Sequence, residues 1–547
     1  MKLIQFFSSE SDAPKGKILA AAAVSGIANG LLLGLINTAA ENTGRDYDEQ
    51  ARFFFLFLFS LLLFVITKKY ALSQATIAVE QAIRRVRLRI VDKIRHTELR
   101  FVENVGRSHI FTRLTQDANL ISQAATILIN AAQSAIVLIA CLLYIAWMSL
   151  TGFFITVGCL SIAVIIYLSN YNKISSQLRV AVRQETEFFD GIHHTLDGFK
   201  EIKVNQKKSN ALFGHIEEVS IATENLKTEV GVKFIMDFMF AQVSFYILIA
   251  IIIFILPVLS QTFVDDVVKI TIAILFLFSP LDMLVSAIPV FARANVAVSN
   301  IEQLEAEIDS VRSGKRDDEA DLFPLSFDKI ELLELAFEYK DEDGYPLFSV
   351  GPLSLTIQRG ELLFIVGGNR SGKSTLLKLL TALYPPSSGL IKIDNVALNL
   401  KLMQSYRELF SLIFTDFHLF DRLYGLDQVD PVVIANLIKT MQLHDKTRYI
   451  DGRFTNINLS TGQRKRLAYI ASLLDNKEIY VFDEWAADQD PEFRKNFYES
   501  LIPELQRRGK TIIAVTHDDK YFHLADRIMK MEYGKMVEVL DRQNIKL

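Results

Sequence analysis

Apolar residues are spread unevenly along this chain. Before residue 295 they gather into six runs, 18–39, 53–66 with flanking residues, 127–148, 153–168, 238–259 and 268–290. A helix needs about 20 residues to cross the hydrocarbon core of a bilayer, so each run predicts a membrane span, the second and fourth being short as pure apolar runs. The first is preceded by Ser8, Glu10, Asp12 and Lys15 and followed by no cleavage site, which predicts an uncleaved span. After residue 325 short apolar runs alternate with polar turns and with helical periodicity, the pattern of an α/β domain.

The connections between runs carry the charge. Lys68, Lys69, Arg84, Arg85, Arg87, Arg89, Lys93, Arg95, Arg100, Arg107 and Arg113 separate the second run from the third. Arg179, Arg183, Lys200, Lys203, Lys207, Lys208 and Lys227 separate the fourth from the fifth. Long basic segments stay in the cytoplasm. The opposite connections are short: 40–52 is acidic on balance, 149–152 is barely a turn, and 261–267 carries Asp265 and Asp266. Both termini are therefore expected in the cytoplasm. Ile83, Val86, Ile90 and Ile94 recur at helical spacing inside a basic connection, so the helices should continue well past the membrane. The expected division is 1–301 for the membrane domain, 302–324 for a charged linker containing Ser310, Ser313 and Gly314, and 325–547 for the α/β domain.

Bulk properties agree. The chain has 547 residues, too many for one ordinary domain, and 50% of them are hydrophobic, high for a soluble protein. A net charge of -4 creates no global field that would suggest nucleic acid as a partner. Cys141 and Cys159 lie inside apolar runs without metal-ligand spacing and read as small packing residues.

The chemistry lies after residue 360. Leu362 to Val366 is an apolar strand running into Gly367-Gly368-Asn369-Arg370-Ser371-Gly372-Lys373-Ser374-Thr375, which fits G-x-x-x-x-G-K-[ST]. Glycines let main-chain N–H groups turn inward around a polyphosphate, Lys373 reaches the terminal phosphates, and Ser374 can ligate Mg²⁺. The nucleotide is ATP or GTP. About 110 positions after Lys373, the apolar strand Ile479 to Phe482 ends in Asp483-Glu484. Open α/β sheets bind ligands at such strand ends. Asp483 is placed to hold Mg²⁺, and Glu484 to polarise the water that attacks the γ-phosphate. Leu459-Ser460-Thr461-Gly462-Gln463 precedes this pair by about twenty residues. Ser460 and the helix N-terminus after it can bind a γ-phosphate.

Leu459 to Gln463 resembles the LSGGQ signature of ATP-binding-cassette proteins, with Thr461 for the first glycine. That resemblance implies ATP as the nucleotide and two domains meeting head to tail around two ATP molecules, with Ser460, Gly462 and Gln463 facing another subunit's phosphate loop. Tyr339 matches the aromatic that stacks on adenine, with Phe337 and Tyr345 as neighbouring competitors. Asp490 matches the residue that organises the dimer, and His517 the switch histidine at the γ-phosphate. Thr415 stands where most of the superfamily has a metal-contacting Gln, so it acts through water or Asp416 takes part. Arg370 replaces a common Gly. Phe101 to Gly106 and Gly198 to Lys203 look like intracellular loops of exporters in this family, which end in short coupling helices.

Phe417 to Leu423, Leu459 to Leu467 and Asp483 to Pro491 together are similar to the cyclic-peptide exporter family, a branch with exporters of microcin J25, syringomycin-type lipopeptides and pyoverdine precursors. The implied architecture is multidomain: an all-α six-helix transmembrane domain of the exporter type fused to an α/β P-loop ATPase domain. The implied function is ATP-driven, Mg²⁺-dependent peptide export by a homodimer in a bacterial inner membrane, in contact with lipids and without leader cleavage. A lipid or lipopeptide flippase and an ATP-gated membrane peptide sensor are the competing readings. Trp485, where proline is usual, reads as a packing aromatic or an interface residue. Asn29, Asn37, Asn130, Gln133, Gln242, Ser244 and Asp282 are cargo-cavity candidates, because polar groups in membrane helices turn inward or pair. The aromatic set Phe53, Phe54, Phe55, Phe57 and Phe59 covers every side of its helix and reads as mostly lipid-facing.

Overall fold

A computed structural model describes residues 2–10, 14–41, 47–260, 264–311, 327–341, 343–426 and 429–544. The chain divides into two compact units, Met1–Arg95 with Gly106–Asp309, and His96–Val105 with Ser310–Leu547.

The first unit is helical. Its elements are α1 (Lys2–Glu10), α2 (Lys15–Glu41), α3 (Tyr47–Arg95), α5 (Arg107–Thr112), α6 (Ala118–Met148), α7 (Leu150–Asp197), α8 (Phe199–Val204), α9 (Gln206–Ala250), α10 (Leu256–Ser260) and α11 (Val264–Val311); α4 (Leu99–Val105) belongs to the other unit. Each of the six apolar runs falls in its own long helical segment, the fifth spread over α9, a wide π turn at Ile251–Ile255, and α10. Five stretches, Gly16–Ala39, Gln50–Arg95, His109–Met148, Gln206–Val258 and Val267–Ser310, are long and apolar enough to cross a membrane. The described apolar stretch of α7, Leu150–Ile165, is shorter. At 1.5 Å per residue the 49 residues of α3 span roughly 70 Å, more than twice a bilayer core, so polar helix continues the apolar span as its periodicity predicts. Residues 302–311 of the expected linker continue α11; residues 312–326 lie outside the described set, as do 42–46 and 261–263 of the short connections.

Packing in this unit follows residue size. A Cβ on Gly26 would lie 2.7 Å from Ile136 Cγ2, and one on Gly30 would lie 3.0 Å from Ala140 Cβ, so the two glycines bring α2 close to α6. Val137, Cys141, Phe245, Ile252, Ile274 and Leu277 are among the side chains that form an apolar core between α6, α9 and α11. Beyond the apolar stretches the helices are tied by ions: Arg89 bridges Glu10 at 2.8 Å and Glu305 at 2.9 Å, and Lys93 meets Asp309 at 2.7 Å. Phe54, Phe55 and Phe59 are exposed on α3. Pro280 and Pro289 lie inside α11.

The second unit is α/β. Its strands are β1 (Lys329–Lys340), β2 (Pro346–Gln358), β3 (Leu362–Val366), β4 (Ser388–Ile393), β5 (Val396–Ala397), β6 (Phe410–Ile413), β7 (Tyr449–Ile450), β8 (Arg453–Phe454), β9 (Ile479–Asp483), β10 (Thr511–Val515), β11 (Arg527–Glu532) and β12 (Lys535–Asp541). Its helices, apart from α4, are α12 (Lys373–Leu380), α13 (Met403–Arg407), α14 (Pro431–Thr440), α15 (Thr461–Asp475), α16 (Pro491–Asn496) and α17 (Ile502–Arg507). One sheet has the order β12-β11-β3-β10-β9-β6, parallel except for the β11–β12 hairpin; β2-β1-β4-β5 form an antiparallel sheet. Side chains alternate across the parallel sheet. Leu363, Ile365, Val481 and Ile513 join a core with the antiparallel sheet and α12, whereas Leu362, Phe364, Phe482 and Ile512 join one with α14 to α17. Both faces are covered, which explains the unbroken apolar runs of β3, β9 and β10.

Candidate nucleotide-binding and hydrolysis site

The parallel strands β3, β9 and β10 lie side by side, so the segments leaving their C-terminal ends converge. The phosphate loop leaves β3. Gly367 has φ 153°, and a Cβ there would sit 2.2 Å from the Met531 carbonyl oxygen; Gly372, at φ 98°, caps α12. Both positions demand glycine. Lys373 is buried, and its ammonium donates to the Gly367 and Gly368 carbonyls at 2.9 Å each. Burial pushes its pKa down, opposed by the Glu484 and Asp483 carboxylates. The exposed Gly368, Asn369 and Arg370 form the rim, and Arg370 is left-handed at φ 63°.

β9 delivers the carboxylates. Asp483 is buried, and Ser374 donates to its Oδ2 at 2.9 Å. Thr415, at the end of β6, donates to the Asp483 carbonyl at 3.4 Å. Burial raises the Asp483 pKa; the Ser374 hydrogen bond works against it. Two buried oxygens here, Ser371 Oγ and Asp483 Oδ1, have no hydrogen-bond partner among the described residues. Buried oxygens ordinarily find a donor or a cation, so this pair beside Ser374 has the chemistry of a site for a phosphate with its Mg²⁺. Glu484 follows in a left-handed conformation, φ 49° and ψ 39°, and His517 after β10 lies 3.3 Å from its Oε1.

Tyr339 points its hydroxyl to Thr375 Oγ1 at 3.2 Å, its ring between Phe337 and Phe348. Of its competitors, Phe337 is fully buried and has no face to offer a base, while Tyr345 is exposed.

Ser460 caps α15 in a capping box with Gln463: the Gln463 N–H donates to Ser460 Oγ at 3.4 Å, and the Ser460 N–H to Gln463 Oε1 at 3.3 Å. A Cβ on Gly462 would meet the Asp488 carbonyl oxygen at 2.5 Å, so the signature end lies directly on the loop after Glu484. Asp490 caps α16 by accepting from the Phe493 N–H at 2.8 Å and pairs with Arg466 at 2.5 Å. The Phe493 N–H and then Arg466 pull its pKa down.

Two side chains of this region escape sequence reasoning. Lys465 and Arg466, two charged residues in a charged stretch, are buried. Trp485 is buried too, its ring stacked on Phe497 at 4.4 Å, which makes it a packing aromatic. In the α4 segment, Glu103 accepts from Tyr384 at 2.5 Å and from Lys378, near the end of α12, at 2.9 Å.

In the membrane unit, Gln242, Ser244 and Asp282 line one cavity of about 270 Å³ whose walls are otherwise apolar, among them Leu160, Phe245 and Val285. Asn29, Asn130 and Gln133 line another of about 580 Å³. Gln133 also donates to Ser25 at 2.8 Å, and Asn37 to Tyr144 at 3.3 Å.

Residues 350–487 match the ABC transporter family. The chain is 32% identical over 525 residues to the ATP-binding protein SyrD of Pseudomonas syringae pv. syringae, covering 94% of this chain and 92% of that one. A probable syringafactin export ATP-binding/permease protein, SyfD, of Pseudomonas syringae pv. syringae strain B728a is 32% identical over 208 residues, covering 36% of this chain and 31% of that one. A bacterial Atm1-family ABC exporter with ATP bound superposes with a TM-score of 0.79 over 97% of this chain and 96% of its own, at 18% identity. The chain belongs to the ATP-binding-cassette exporters. It is a multi-pass membrane ATPase, with ATP hydrolysis coupled to transport.

Proposed function

We propose that two copies of this chain form a half-transporter dimer in a bacterial inner membrane, with both termini cytoplasmic, and export a peptide of cyclic, lasso, siderophore or lipopeptide type. The match to a probable syringafactin export protein and the motifs similar to the cyclic-peptide exporter family support this cargo. The observation that carries the ATPase reading is the convergence of Lys373, Ser374, Asp483, Glu484 and His517 around two unpartnered buried oxygens. Tyr339 stacks on adenine, and the loop from Gly367 to Thr375 wraps the phosphates. Ser374, Asp483 and Thr415 hold Mg²⁺, which when bound neutralises charge on the phosphate oxygens. Glu484 polarises the attacking water; Lys373 and His517 stabilise phosphate charge. Among the described residues, the hydrogen bonds of Ser460, Gly462 and Gln463 run to one another, to Gln489 and within α15, not to the phosphate loop, which leaves the signature end available to a second copy's ATP with Asp490 beside it. Asp282, Gln242 and Ser244 give an apolar cavity a few polar contacts, as a site for an amphipathic cargo requires.

The test is ATP-dependent uptake of cyclic, lasso and linear peptides into inside-out vesicles, with Glu484→Gln as control. Selective uptake lost in the variant is the expected result. Peptide-stimulated hydrolysis without uptake would point to a flippase or a sensor instead.

A further inference from the structure

Lys465 is almost completely buried, at 1% exposure, in the second turn of α15, where a lysine is costly unless its ammonium is satisfied. Its Nζ donates to the Glu484 carbonyl at 2.7 Å and pairs with Asp488 Oδ2 at 2.6 Å. Its own carbonyl accepts from the Trp485 indole N–H at 3.1 Å. One residue thus binds the peptide of Glu484, the side chain of the next residue, and the loop four positions on.

We propose that Lys465 is a positioning residue for hydrolysis: it holds the left-handed turn at Glu484 and makes the signature helix and the Glu484–Asp490 loop a single body. A non-glycine residue at φ 49° is strained, and a strained turn persists only where its surroundings over-determine it. Here the Glu484 N–H is held by the Val515 carbonyl at 3.1 Å and its carbonyl by Lys465, so the direction of the carboxylate is set from both sides. Arg466 extends the clasp to Gln489 at 2.8 Å and to Asp490 at 2.5 Å, and Gln489 donates back to the Gly462 carbonyl at 3.1 Å. A displacement of the Ser460 end is carried through Lys465 to Glu484 of the same copy.

The inference rests on the assignment of Glu484 proposed above. The experiment is steady-state ATPase of the full-length protein in lipid nanodiscs, with ATP affinity and thermal melting measured in parallel. Lys465→Met is expected to lower kcat at least tenfold while KM for ATP stays within about twofold. Asp488→Asn, which keeps an acceptor for the ammonium, retains most of the activity; Asp488→Leu does not, and adds nothing further on top of Lys465→Met. Unchanged kcat in Lys465→Met, or a fall in ATP affinity and melting temperature that accounts for the loss, overturns the proposal. Should Lys465→Met not fold, wild-type kcat in Asp488→Leu overturns it equally. Glu484→Gln separates the two claims: if that variant hydrolyses ATP normally the assignment of Glu484 fails, whereas an inactive Glu484→Gln beside a normal Lys465→Met removes only the role of Lys465.

Discussion

Arg370 stands in the left-handed region, a conformation that costs a residue with a side chain about 1 kcal/mol. Its side chain is exposed, so the arginine keeps the turn by losing less freedom on folding than glycine would. These two effects nearly cancel. Arg370→Gly should shift stability by less than about 1 kcal/mol and leave ATP affinity near wild type, while Arg370→Val, β-branched in a left-handed turn, should weaken nucleotide binding severalfold. Thermal melting and nucleotide titration read both. The phosphate loop, Asp483-Glu484 and the signature were legible because each is a contiguous run whose residue types state their chemistry. Lys465 and Arg466 were not, since their roles depend on burial by segments distant in the chain. That Phe337 has no free ring face likewise follows only from the packing of β1 against Tyr384.

Helix α4 is joined by the chain to α3 and α5, yet packs within the C-terminal unit. Leu99 rests on that unit's core, Arg100 lies over the Phe337 ring at 5.5 Å, and Glu103 takes two charge-assisted or short hydrogen bonds, from Lys378 and Tyr384. Hydrogen bonds to charged groups are worth about 1.5–3 kcal/mol, and the partial exposure of Glu103 puts these at the low end. Lys378 belongs to α12, the helix that begins at Lys373, so α4 grips the far end of the phosphate-binding helix. Glu103→Gln combined with Tyr384→Phe should therefore lower cargo uptake by at least fivefold while basal ATPase stays within about twofold; an equal fall in both would show that the contact serves folding alone. The sequence showed where this short helix lies through the Phe101 to Gly106 motif. Its docking partners are hidden in an apparently ordinary lysine and tyrosine. The length of α3 was underestimated by its apolar run alone, because helical periodicity outlasts apolar composition.

At the scale of the molecule, the proposed sandwich makes two phosphate loops and two signatures depend on each other. With Asn369→Cys on one copy and Ser460→Cys on the other, both in the Glu484→Gln background, a cross-link should form on adding ATP and Mg²⁺ and be absent without them. A gel showing no nucleotide dependence would sink the dimer reading. A membrane region of several apolar helices and an α/β domain were legible in the sequence as a change of hydropathic regime near residue 300, whereas the strand order and the meeting of Gln242, Ser244 and Asp282 arise from long-range packing. The two prolines of α11 carry a consequence for cargo. Pro280 and Pro289 have no N–H, so the carbonyls of Phe276 and Val285, four residues earlier, lose their usual helical donor. Phe276 borders one cavity and Val285 the other, with Asp282 between the prolines in the chain. A helix that lacks two of its internal hydrogen bonds bends most readily at those turns, so α11 has two points about which the walls of both cavities can shift.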